Sequence, residues 1–142
     1  MSSSQHPLAE GLVRIGETAI ARENNAALRA YFAPGYVLHR PGGDIGFDAL
    51  SSYFAALRDA FADLEIRRAI VIGEGDYLAA RTIFSGTFTR PFRQSPTREL
   101  QPTGRVVEWE VMNLFRYNAD SRLAEEWVQS DSSLFLAKLN SR

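Results

Sequence analysis

The chain has 142 residues, 45% of them hydrophobic and 23% charged, the profile of an ordinary globular protein able to bury about two-thirds of its unfolded surface. A net charge of −1 gives no footprint for nucleic acid and no electrostatic pull toward anionic lipid. With no cysteine, disulfides, thiolate metal sites and a cysteine nucleophile are excluded.

The stretch Met1–Pro7 lacks the basic-then-apolar run of a signal peptide, and no segment has the length of a membrane span. A cytoplasmic location is the default expectation, with one domain over 1–142 and residues 1–6 as a flexible tail. Leu8, Leu12, Ile15, Ala19 and Ile20 recur at helical spacing and predict one amphipathic helix over about residues 7–23. A short helix around Ala26–Phe32 stops at Ala33-Pro34-Gly35, and Tyr36–His39 is a short strand closed by Arg40-Pro41-Gly42-Gly43. Phe47, Leu50, Phe54, Leu57 and Phe61 trace one stripe of a second long helix, over 46–61.

Residues 65–73 read as a strand, Gly73–Asp76 as a hairpin turn, and Tyr77 to about Arg90 as a longer strand. Pro91–Pro102 carries three prolines and no periodicity, which makes it a loop with the look of a flap. In the last third, two amphipathic segments flank a turn at Asn118-Ala119-Asp120-Ser121 and form a long β-hairpin. Asp131 ends the second segment where an apolar helix, SSLFLAKLN, begins. The order predicts an α+β fold, helices on one face of a curved antiparallel sheet.

Five stretches carry a family resemblance: LRAYFAPGYVLHRP (28–41), GFDALSSYFAALRDAFADL (46–64), EGDYLAARTIFSGTF (74–88), PTGRVVEWEVMNLFRY (102–117) and RLAEEWVQSDSSLFLAKL (122–139). In these the chain resembles the SnoaL-like polyketide and ester cyclases, within the superfamily named after nuclear transport factor 2. The resemblance implies a cone-shaped, curved sheet wrapped on helices, an internal apolar pocket and a homodimer packed through the sheet. It also implies a cofactor-independent enzyme acting on a carbonyl-containing small molecule by acid–base catalysis, as in a polyketide cyclase or an isomerase. Relatives of the fold include non-catalytic small-molecule-binding modules, which is the alternative reading.

Asp131 matches the acid that family cyclases use for proton transfer in an intramolecular aldol closure. A carboxylate in a partly dehydrated pocket has its pKa raised and can both take and return a proton. Asp131 is equally well placed to N-cap the helix that follows it. His39 stands where the family places a pocket histidine that orients substrate; its other reading is a rim histidine bonded to the HRPGG turn. Strand parity sets His39 with Val37, opposite Tyr36 and Leu38.

Trp127 shares parity with Leu123, Glu125, Gln129 and Asp131 unless a bulge intervenes, and is read toward the pocket. Trp109, Asn113 and Phe115 share a face of the preceding strand, with Trp109 in pocket, core or interface. Phe54 is read as core that walls the cavity. Arg81, among apolar neighbours, either pairs with a carboxylate such as Asp131 or Glu125 or snorkels to solvent, the latter favoured.

The chain departs from the family where Glu126 replaces a histidine, Asn113 an acid and Phe88 a histidine. An asparagine can still hydrogen-bond a substrate carbonyl. Two histidines, one of them His6 in the tail, give no metal triad, and no phosphate loop or nucleophilic-serine elbow is present. The family needs no cofactor. With an aromatic share of 11%, the expected ligand is a planar or polycyclic carbonyl compound.

Overall fold

The computed structural model of the protein describes residues 6–93 and 99–140. The first amphipathic stretch starts as helix α1 (Ala9–Arg14) and widens into a π-helical turn over Ile15–Ile20. There the Ala21 N–H donates to the Gly16 carbonyl at 3.2 Å. The expected continuous helix over 7–23 is therefore wound in two ways. At Gly16 this turn presses straight onto the sheet: a Cβ there would stand 3.3 Å from Ile66 Cγ2 and 3.5 Å from Arg68 Nε. His6, expected in a frayed tail, lies against the far hairpin, its Nε2 3.1 Å from the Gly75 carbonyl.

Asn24 caps α2 (Asn25–Tyr31), its Oδ1 accepting from the Ala27 N–H at 3.1 Å. Strand β1 (Phe32–His39) follows without a break, because Pro34 and Gly35 form an exposed irregularity between the paired residues Phe32 and Val37 rather than ending the segment. Then come β2 (Ile45–Gly46), α3 (Phe47–Ala60), β3 (Phe61–Glu74), β4 (Tyr77–Phe88), β5 (Val106–Tyr117), β6 (Leu123–Ser130) and α4 (Ser132–Asn140). Strand β3 is longer than the expected 65–73 because it absorbs two irregularities, between Ala62 and Glu65 and between Arg68 and Ile70. In the stretch expected to be a loop, the buried Phe92 and Leu100 pair as an isolated antiparallel bridge. The middle of the expected flap lies outside the described residues.

The sheet order is β2-β1-β6-β5-β4-β3, curved and unclosed. It is not wholly antiparallel: β1 runs parallel to β6, bringing the start of the fold beside its end. Arg122 fastens this joint. Its guanidinium donates to the carbonyls of Arg29, Ala30 and Phe32 at 2.6, 3.1 and 2.7 Å, satisfying groups that the end of α2 leaves free.

One face of the sheet is covered by α1, the π-turn and α3, whose stripe Leu50, Phe54 and Leu57 is buried as the 3.6-residue period requires. Alternation along β5 sends Val107, Trp109, Asn113, Phe115 and Tyr117 to this inner face. On the outer face Ile70, Ile72, Met112 and Leu114 remain exposed.

Candidate functional site

Between the helices and the inner sheet face lies a cavity of about 700 Å³, walled by Leu12, Ile15, Phe54, Trp109, Phe115 and Phe135 among others. Trp109 stacks on Phe84 with centroids 5.3 Å apart and planes 12° from parallel, and Phe135 approaches it at 4.5 Å. The wall is thus flat and aromatic on one side, a surface suited to a planar ligand.

A chain of polar side chains crosses this apolar space. Arg68 on β3 donates through Nη1 to Thr82 Oγ1 at 2.9 Å. Thr82 on β4 donates to Asn113 Oδ1 at 2.8 Å, and Asn113 on β5 donates through Nδ2 to Glu126 Oε2 at 3.0 Å. From β1, the Tyr36 hydroxyl donates to Glu126 Oε1 at 2.7 Å. Four neighbouring strands therefore contribute to one carboxyl group, and the donors all run toward Glu126. Beside the chain, the hydroxyls of Tyr31 and Tyr117 bond each other.

Burial decides the electrostatics. It pushes the Glu126 carboxyl above its ordinary value, against the opposing pull of Tyr36, Arg68 and Asn113. Burial, reinforced by Glu126, also raises the Tyr36 phenol, so Tyr36 stays protonated and donates. Tyr31 is raised to about 12, mainly by burial. Arg68 is pulled down by burial while Glu126 and the tyrosines oppose that shift. A carboxyl raised by dehydration and linked to a phenol and an amide can hold a proton and pass it to an adjacent atom.

The residues singled out in the sequence divide between two places. Asn113, Trp109 and Phe54 line the cavity. Asp131, His39, Trp127 and Arg81 do not. Asp131 is exposed and caps α4, its Oδ1 accepting from the Leu134 N–H at 2.8 Å. It borders a more open groove of about 880 Å³ along α4 and the outer sheet face, which shares Trp109, Val111 and Phe135 with the cavity wall.

Trp127 points outward, stacked on His39 with centroids 5.2 Å apart. The reason is a bulge. Tyr117 pairs with Leu123 and Arg116 with Glu125, leaving Ala124 over. Leu123 is therefore buried inside, whereas Glu125 and Trp127 are turned out. His39 bonds Glu125 Oε2 at 2.6 Å and Asp44 Oδ1 at 3.0 Å, also on the outer face. Arg81 pairs with a carboxylate, but with neither Asp131 nor Glu125: it forms a two-pronged, solvent-exposed pair with Glu110 at 3.0 Å on each prong.

Arg68, Thr82, Tyr36 and the inward placement of Glu126 escaped the sequence reading. One signal for Arg68 was present. Two successive arginines on a strand must face opposite ways, and Arg68 shares parity with the buried Ile66 and Leu64.

Residues 11–139 match the family described as SnoaL-like polyketide cyclase; the chain belongs to that family. Among solved structures it is similar to wild-type IdmH, a candidate polyketide cyclase from Streptomyces antibioticus. Identity is 25% over 96% of this chain and 100% of that one, with a TM-score of 0.78. A SnoaL-like candidate polyketide cyclase from Jannaschia sp. CCS1 matches at 20% identity over 95% and 92% of the two chains, TM-score 0.78. AclR, a candidate hydroxylase from Streptomyces galilaeus, matches at 20% identity over 98% and 83%, TM-score 0.77. No curated protein matches the sequence. Among the described residues, no helix is long and apolar enough to cross a membrane.

Proposed function

We propose that the protein is a cofactor-independent acid–base catalyst that binds a flat, carbonyl-containing small molecule in the inner cavity. The observation that carries this reading is the dehydrated carboxyl group of Glu126, the one carboxyl among the described residues lining the cavity, held by Tyr36 and Asn113. The role first assigned to Asp131 passes to Glu126, because Asp131 is exposed and occupied as a helix cap.

In an intramolecular aldol closure, ionised Glu126 would take a proton from the carbon next to a carbonyl. The resulting enolate carbon bonds to a second carbonyl carbon of the same molecule, and the alkoxide so formed recovers the proton from the Glu126 carboxyl. Atoms and charge balance with no added reagent. Asn113 and Tyr36 set the carboxyl's orientation and hold down the cost of ionising it. The same proton movement without bond closure is an isomerisation, so the chemistry stated is proton transfer next to a carbonyl.

The second part of the proposal is a homodimer through the outer sheet face. Ile72, Ala79, Leu114, Trp127 and His39 lie in one cross-strand row, with Ile70, Arg81 and Met112 in the next. Two adjacent rows with so much exposed apolar surface suit a second copy of the same sheet.

Incubation with polyketide β-keto esters and simple 3-ketosteroids, followed by chromatography and mass analysis, tests the catalytic reading. Isomeric or cyclised product that disappears with Glu126→Gln supports it. Tight binding with every ligand recovered unchanged would replace it with a non-catalytic binding module of the same fold.

A further inference from the structure

The polar chain has two ends, one on β6 and one on β3. Glu126 closes the β6 end, bonded through both oxygens. At the β3 end stands Arg68, whose guanidinium makes one hydrogen bond to the described residues, through Nη1 to Thr82. Its Nε is buried with no partner, and the Phe115 ring lies 5.4 Å away. A guanidinium offers five donors and is always protonated in proteins. Burying a guanidinium donor without a partner is costly, and native structures rarely leave one so.

No carboxylate forms an ion pair with Arg68 among the described residues. The carboxyl nearest it along the chain, Glu126, is reached only through Thr82 and Asn113. The entrance repeats the same sign. Arg40 and Arg93 both line the cavity and are exposed. Arg93 is neutralised by Asp59 and Glu99, whereas Arg40 forms no ion pair among the described residues. Arg40 at the exposed rim and the partly buried, under-used guanidinium of Arg68 within form a pathway for an anion.

We infer that the cavity selects ligands carrying an anionic oxygen, which the free donors of Arg68 bind at the β3 end while the flat apolar body lies against the Trp109 and Phe84 wall. This deepens the proposed function, on which it rests for the site, by naming the substrate class: a carboxylate-bearing or acidic enolic carbonyl compound rather than a neutral ketone. The arrangement is also directional. An anion on Arg68 sits at the β3 end of the chain, with Thr82 and Asn113 between Arg68 and the carboxyl that moves the proton. Gly16, in the wide π-turn, lies against this guanidinium: a Cβ there would stand 3.5 Å from Arg68 Nε.

Calorimetric binding of matched probes tests this without requiring turnover. One pair is 2-naphthoate and neutral 2-naphthamide. The other is 2-hydroxy-1,4-naphthoquinone, an acidic enol, and its neutral 2-methoxy ether. The wild-type protein should bind the anion of at least one pair about tenfold or more tightly than its neutral partner, as charge-assisted bonds do. The pair that shows the preference identifies the oxygen as carboxylate or enolate. Arg68→Gln should abolish the preference while leaving the neutral probes bound, and Arg68→Lys should restore part of it. If Arg68→Gln fails to fold by circular dichroism, Arg68→Met, which keeps an unbranched apolar stem, is read in its place. Equal affinities for anion and amide or ether in the wild type, or a full preference in the neutral variant, would overturn the inference. Turnover lost in Glu126→Gln with the anion preference intact would separate the two roles.

Discussion

Thr82 and Asn113 meet on the diagonal: the hydroxyl donates to the amide oxygen at 2.8 Å, although the register pairs Thr82 with Val111 and Asn113 with Ala80. Asn113 reaches Glu126 by a second diagonal step, since Phe115 is the residue directly opposite Glu126. Diagonal neighbours on one sheet face are within reach of such side chains. The polar chain therefore follows the twist of the sheet from β3 to β6, and every donor in it favours charge on Glu126.

Glu126→Gln keeps the shape and removes the titrating group. Turnover on a confirmed substrate should fall by ~10²-fold or more. Stability should move the other way. Burial holds the folded pKa of Glu126 above its ordinary 4.5, so the stability this group contributes is full below that value and is lost as pH rises through the folded pKa. The glutamine variant escapes that loss. Urea titrations at about pH 4 and about pH 8 should show the variant gaining on the wild type at the higher pH; a gap that does not change with pH would contradict the raised carboxyl.

Asp131 separates chemistry from capping at one position. Asp131→Asn should leave both turnover and stability nearly unchanged, and Asp131→Ala should cost ~1 kcal/mol of stability with turnover retained. A hundredfold loss of turnover in the asparagine variant would return the proton-transfer role to Asp131.

The outer His39 pair has a calculable pH dependence. Hydrogen bonds to Glu125 first and then Asp44 hold His39 above its ordinary 6.5, and His39 with Arg116 holds Glu125 below its ordinary 4.5. The histidine's contribution is complete below 6.5 and is lost as pH rises through its folded value; the glutamate's is complete above 4.5 and is lost as pH falls through its folded value. Their joint contribution is greatest between those two values. His39→Gln should therefore lower Tm more at about pH 6 than at about pH 9. An equal loss at both would place the effect in lost stacking on Trp127.

The two apolar rows of the outer face predict assembly. Light scattering at micromolar concentration should give twice the chain mass, and Ile72→Lys with Leu114→Lys should halve it while circular dichroism stays unchanged. A monomeric wild type would remove the dimer and leave the fold as described.

Much of the architecture could be read along the chain because it rests on local periodicity. The stripe of α3 and the alternation of β5 are such patterns, and Trp109 and Asn113 follow from the second. Local patterns failed where one residue is extra. Ala124 reverses the parity of β6 and turns Trp127 outward, and no residue type marks that position as a bulge. The parallel pairing of β1 with β6 is equally invisible, since it depends on segments remote in the chain. Asp131 drew notice through its place before a helix, a position that capping alone explains. Glu126 was noticed as a departure from its family, whereas its partners Tyr36, Thr82 and Arg68 are assembled from three other strands.

The parallel joint between β1 and β6 also sets an order of events. Arg122 and the Phe32 carbonyl that it holds are 90 residues apart in the chain, whereas each step of the β3–β6 meander joins consecutive strands. Loop closure costs more as the loop lengthens, so distant pairings form late. The meander should be built in the rate-limiting barrier crossing and the amino-terminal strand laid down afterwards. Arg122→Ala should then quicken unfolding and leave the refolding arm of a chevron almost unmoved; a slowed refolding arm would put the joint in the nucleus instead. The carboxyl group of β6 thus acquires its phenol partner from β1 only in the last stage of folding.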